Sequence, residues 1–155
     1  MIYIYIAIGA FLIMLMGYIL MLQYQKKIYR KVTEYTMKIL NQYGVRHEHR
    51  HVLIDLNHET YQVLLYFVPT HAELTINSKI MWEIKESNKI NLVNQSHFLS
   101  SPYPKIVIVF PTTVRMKRYI NENEMEFITY NKKFHNMYVV RPHELETLLK
   151  ELNHA

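Results

Sequence analysis

Residues 71–86 read HAELTINSKIMWEIKE, and their alternation is the most informative pattern in the chain. Residues two apart in a strand share a face, so Glu83 and Lys85 project one way while Ile80, Trp82 and Ile84 project the other. Hydrophobic matching then aligns the preceding strand. With Asn77, Ser78 and Lys79 as the loop, Ile76 faces Ile80, Leu74 faces Trp82 and Ala72 faces Ile84, which gathers the apolar side chains on one surface. That register sets Glu73 opposite Glu83 and His71 opposite Lys85. A two-residue turn at Asn77-Ser78 would instead put Glu73 against Trp82, on the wrong face.

Two directly opposed carboxylates repel and destabilise a sheet unless something offsets their charge. A divalent cation would do so, and oxygen ligands suit Mg²⁺, which takes one or two carboxylates and keeps several waters. Lys85, two residues beyond Glu83, is placed to orient or deprotonate an attacking water, or to stabilise charge developing on a phosphate. The plain alternative is a solvated strand face, with Glu73 satisfied by His71 or Lys85.

Working outward, HVLIDL (51–56) and YQVLLYFVP (61–69) are β-branched and aromatic enough to be strands joined by a turn at Asn57-His58. KIVIVFP (105–111) has the composition of a strand covered on both faces. The pattern predicts short helices within residues 89–99 and 114–123, strands at EFITY (126–130) and MYVVR (137–141), and a final helix opened by Pro142 and carrying Leu145, Leu148, Leu149 and Leu152. The expected fold class is α/β: a single domain with a mixed central sheet flanked by helices.

A helix, an acid-bearing hairpin, a strand leading into Glu83-Ile84-Lys85, then a helix and a buried strand resembles the PD-(D/E)xK nuclease superfamily over roughly residues 31–111. The resemblance implies a restriction-endonuclease-like core, Mg²⁺ or Mn²⁺ as cofactor, and DNA or RNA as substrate. Glu73, Glu83 and the Ile84 carbonyl would then be the metal ligands, with Lys85 the catalytic lysine beside the two acids. Glu34 and Gln95 are the candidates for the auxiliary acid and glutamine found in some members. The sequence departs from the family in having Glu73 where Asp is usual. An uncharged N-terminal helix joined to such a domain is also similar to the nuclease-related domain proteins.

Residues 1–22, MIYIYIAIGAFLIMLMGYILML, carry no charged side chain and as a helix would reach roughly 33 Å, enough to span a bilayer. No basic segment precedes them and no small-residue cleavage site follows, as a signal peptide would need. The basic flank Lys26, Lys27, Arg30 and Lys31 follows the apolar run, so the positive-inside rule puts the C-terminal domain in the cytoplasm, tethered to the cell membrane by a single pass. The expected organisation is an anchor over residues 1–24, a basic amphipathic juxtamembrane helix over 25–46, and the nuclease-like domain over 47–155. The net charge of +5 is confined to the second of these. Topology therefore accounts for it through anionic lipid headgroups without invoking nucleic acid.

With 155 residues and no Cys, the chain is neither a multidomain enzyme, nor a disulfide scaffold, nor a thiol-dependent catalyst. His47, His49 and His51 alternate, but zinc would need a fourth ligand that the spacing does not supply, so they are expected to form a basic surface. Thr112 and Thr113 are expected to cap the helix predicted after KIVIVFP. Two functions follow: a membrane-anchored, metal-dependent nuclease or an inactive relative acting on nucleic acid at the cytoplasmic membrane face, or a non-enzymatic membrane-tethered scaffold that docks a cytosolic or membrane protein.

Overall fold

The alternating and continuous apolar runs sort into two sheets and one helical layer. The structure is a computed structural model describing residues 2–48, 51–111, 113 and 115–154, without the side chains of residues 2–4 and 6–8. The first sheet contains β1 (Val45–Glu48), β2 (His51–Leu56), β3 (Glu59–Val68), β7 (Lys105–Pro111) and β10 (Met137–Val140), in that spatial order. β1 to β3 form an antiparallel meander, whereas β3, β7 and β10 are parallel. The second sheet has the order β6-β5-β4-β8-β9, built from β4 (Glu73–Ile76), β5 (Met81–Glu86), β6 (Lys89–Asn94), β8 (Arg115–Asn121) and β9 (Glu124–Phe127). Helices α1 (Ile2–Asn41) and α3 (Pro142–His154) cover the first sheet, and α2 (Ser96–Leu99) is a single turn.

KIVIVFP is the central strand its composition predicts. Ile106 and Ile108 of β7 pack under Leu40, Leu145, Leu148 and Leu149 of the helices. Val107 and Val109 point the other way, into the space between the sheets, against Leu74, Trp82 and Met116. β3 and β7 each turn sharply into the second sheet, where their continuations β4 and β8 are again parallel neighbours. The buried Thr113 hydroxyl donates to the Ala72 carbonyl and so ties one corner to the other.

Several expectations are corrected here. The α/β class holds, but the single central sheet is two sheets. Residues 89–94, expected in a helix, are strand β6, entered by a tight turn in which Ser87 has φ +48°. Residues 115–121, also expected as helix, are strand β8: pairing with β4 on one side and β9 on the other outweighs the helical propensity of its Arg, Met and Lys. No helix follows Thr113, so it is a corner pin rather than a cap; Thr112 lies outside the described residues. His47 and His51 stand on different strands of a hairpin, so they do not line one extended segment, and His49 is not described.

α1 is continuous through residue 41, with Thr36, Ile39 and Leu40 buried against the domain and Tyr29 edge-on to Phe67 at 4.9 Å. Upstream, Phe11, Ile13, Met14, Met16, Tyr18 and Met21 are all exposed. Among the described residues, no helix is long and apolar enough to cross a membrane. The apolar side chains described over residues 9–22 account for about 21 Å at 1.5 Å per residue, against a hydrocarbon core of roughly 30 Å.

Candidate functional site

The outer surface of the second sheet, turned away from the core, is where the sequence-predicted site residues lie. β4 and β5 pair as Glu73↔Lys85, Leu74↔Ile84, Thr75↔Glu83 and Ile76↔Trp82. The predicted pairing of Glu73 with Glu83 is therefore displaced by two residues, because residues 77–80 all belong to the loop. Asn77 and Ser78 both donate their backbone N–H to the Met81 carbonyl, which closes that longer loop. A shift of two keeps the paired strand residues on their predicted faces, so Glu73, Glu83 and Lys85 do share one surface, whereas Ile80, predicted to face Ile76, lies in the loop and is exposed. Ile84, by contrast, points inward against the core, while its carbonyl belongs to the strand backbone.

What changes is the charge balance. Glu73 has Lys85 opposite it on β5 and Arg115 opposite it on β8. Lys117 Nζ donates to Glu73 Oε1 at 2.6 Å, and both side chains are about three-quarters buried. Glu83 sits diagonal to Glu73, a relationship with a typical Cα spacing of ~7–8 Å, and accepts a long 3.4 Å hydrogen bond from Asn77 Nδ2. The two acids are thus not directly opposed, and Glu73 is offset by protein cations, whereas Glu83 has no ion-pair partner among the described residues. Among the described residues, no group of three or more His, Asp or Glu side chains is placed to hold a metal ion. The donor set around Glu73 and Glu83, with a lysine already on one carboxylate, does not by itself fit Mg²⁺. Glu34 is on α1, paired with Arg30, and Gln95 lies just before α2, so neither shares this surface.

The registers define one complete row of side chains across the sheet: Leu92 on β6, Glu83 on β5, Thr75 on β4, Lys117 on β8 and Phe127 on β9. Leu92 is 56% and Phe127 65% exposed, and Lys117 Nζ lies 5.8 Å from the Phe127 ring centre. The neighbouring rows add exposed Ile90 beside Lys85 at one edge, and Tyr119 and Met125 at the other. Two apolar margins therefore flank a stripe of mixed charge. Sequence reasoning missed the far margin because residues 114–123 were expected to be helical, which removes Lys117 and Phe127 from any sheet face.

The chain matches no family model, no curated protein and no solved structure. Its site must be read from its own geometry.

Proposed function

We propose that this chain is a non-enzymatic scaffold, tethered to the membrane through α1, that self-associates through the outer face of its second sheet. The observation that carries this is the row Leu92, Glu83, Thr75, Lys117, Phe127: apolar, acid, neutral, base, apolar. A two-fold axis through Thr75, along the strands, sets Glu83 against Lys117 of the second copy and Leu92 against Phe127 of the second copy. Such a face is complementary to itself, which is what an isologous interface requires. Exposed apolar margins on an otherwise polar sheet mark protein contact.

The tether favours the same axis. Uncharged residues 1–22, helical from Ile2, and the exposed apolar side chains beyond Gly9 support a single-pass anchor with the domain on the cytoplasmic side of the cell membrane. The helix runs into the domain without a linker, and Gln25, Ile28 and Tyr29 line one hollow with the corner residues Pro69, Thr70 and Pro111. In this reading β4 and β8 start from the corner nearest the tether. Two anchors in one membrane with the same topology admit a two-fold axis only along the bilayer normal, and sharing a membrane raises the effective concentration of each copy.

The absence of Cys makes the test clean. Full-length Leu92→Cys and Phe127→Cys chains, co-reconstituted in liposomes, should be joined by a short bis-maleimide far better when mixed than either does alone. Equal linking in all three samples, or none, removes the proposed interface. The endonuclease-like reading predicts instead Mg²⁺- or Mn²⁺-dependent cleavage of DNA or RNA that Lys85→Ala abolishes; the scaffold reading predicts no such cleavage and unchanged cross-linking in EDTA.

A further inference from the structure

A second, chemically distinct site lies between the two sheets at the end of β7 remote from Pro111. It is a cavity of about 270 Å³ whose polar lining includes Lys79, Ser100, Ser101, Lys105, His135 and Asn136. These groups arrive from four segments: the β4–β5 loop, the turn after α2, the first residue of β7, and the turn before β10. Among the described residues, no Asp or Glu lines the cavity.

Lys105 is the unusual member, a lysine only 2% exposed at the head of the central strand. Its Nζ donates to the Ser101 carbonyl at 2.8 Å, to Ser101 Oγ at 3.1 Å and to the Tyr103 carbonyl, and it lies 5.7 Å from the Phe98 ring centre. All of these partners are neutral. A buried ammonium held only by neutral acceptors keeps most of its desolvation cost. Burial, then the charge of Lys79, pulls its pKa down to about 8. Burial, then Arg118 and Lys79, likewise lowers that of His135. Arg118 is already committed to Glu126, whereas Lys79 has no ion-pair partner among the described residues.

One side of the rim is a hydrogen-bonded turn. His135 and Asn136, with φ of +47° and +61°, form a two-residue turn closed by reciprocal hydrogen bonds between Phe134 and Met137 at 3.0 and 2.8 Å. The Asn136 carbonyl in turn accepts the Lys105 N–H. The backbone that carries the imidazole is thus hydrogen-bonded to the same strand that carries the lysine.

We propose that this cavity binds the phosphoryl group of a small phosphate-bearing ligand. Lys79, His135, Asn136 and the Ser101 hydroxyl bring donors from several segments, which suits a tetrahedral group with three acceptor oxygens; Lys105, whose three protons go to Ser101 and Tyr103, contributes its charge, and the Ser100 hydroxyl donates to the His97 carbonyl. A planar carboxylate is best met by a coplanar fork of donors, as Arg supplies, and among the described residues no Arg lines the cavity. A bound phosphoryl group supplies the counter-charge that Lys105 lacks, and the volume leaves room for more than one phosphate.

Calorimetric titration of the full chain in detergent micelles with inorganic phosphate, pyrophosphate and acetate tests this, with the His135 ring resonances followed in parallel. Saturable binding of pyrophosphate and phosphate, with His135 shifting and acetate far weaker, is the expected result. Lys79 and His135 are exposed, and Asn tolerates positive φ. Lys79→Ala and His135→Asn should therefore each weaken binding about tenfold, the size of one lost charge-assisted hydrogen bond, with unchanged unfolding midpoints. Three results would each overturn the assignment: no saturable binding by about 10 mM ligand, acetate binding as well as phosphate, or affinity indifferent to both substitutions.

Discussion

Raising the pH from 7 to 9.5 should stabilise this fold, an uncommon direction for a basic protein, and Lys105 is the reason. Its ammonium, buried at the head of β7, has a pKa lowered from 10.5 to about 8. At about 1.36 kcal/mol per decade this costs the folded state on the order of 3 kcal/mol at neutral pH. Below about pH 8 the lysine is charged in both folded and unfolded chains, so the whole cost is present. Between pH 8 and 10.5 the folded chain releases the proton while the unfolded chain keeps it, and stability rises. Integrated to pH 9.5, the gain is about 2 kcal/mol. Above pH 10 the buried Tyr61 and the part-buried Tyr66 and Tyr138, whose pKa values burial raises, begin to oppose it, because the unfolded chain ionises its tyrosines first. Urea unfolding of the full chain in micelles can be followed by the fluorescence of Trp82, the only tryptophan and fully buried between the sheets. The midpoint should climb from pH 7 to 9.5 in the native chain and stay flat in Lys105→Met, which keeps the length and loses the charge. A flat native profile, or a rise that survives Lys105→Met, would refute the assignment of this cost to Lys105.

Other expectations are simpler. Trp82→Ala removes a side chain packed edge-on to Tyr66 at 5.0 Å in the inter-sheet core, and should lower unfolding stability by about 3–5 kcal/mol by circular dichroism. Glu144→Ala breaks two bonds at the start of α3, from the Arg141 N–H at 2.8 Å and from its guanidinium at 3.0 Å. It should cost about 1 kcal/mol, and an equal loss from Glu144→Gln would point to charge rather than capping. If residues 1–22 form the anchor, Leu15→Asp should sharply reduce recovery in the membrane fraction, with a penalty of about 2.5–3.5 kcal/mol at the middle of the span; unchanged fractionation would argue against insertion.

Local pattern was enough to recognise much of this molecule. The alternation in 82–85 set which side chains face outward, the unbroken apolar run of 106–111 marked the central strand, and the leucine spacing after Pro142 marked α3. These signals are carried by residues two to four apart, whose relation to the core is set by backbone geometry alone. The uncharged N-terminus and its basic flank are likewise properties of the chain and led to the anchor hypothesis without coordinates.

Which strands became neighbours was decided only in three dimensions. RMKRYIN has the composition of a helix and became β8 because β4 offered it an edge to pair with. KINLVN became β6 for the corresponding reason on β5. Once β8 stood beside β4, Lys117 reached Glu73 and gave that acid a protein counter-charge, while the longer loop moved Glu83 to the diagonal position. The Lys105 cavity was equally invisible in one dimension, since its cationic residues lie as far apart as 79 and 135. Pairing between distant segments depends on the burial available to the whole chain, and no window of sequence contains that sum.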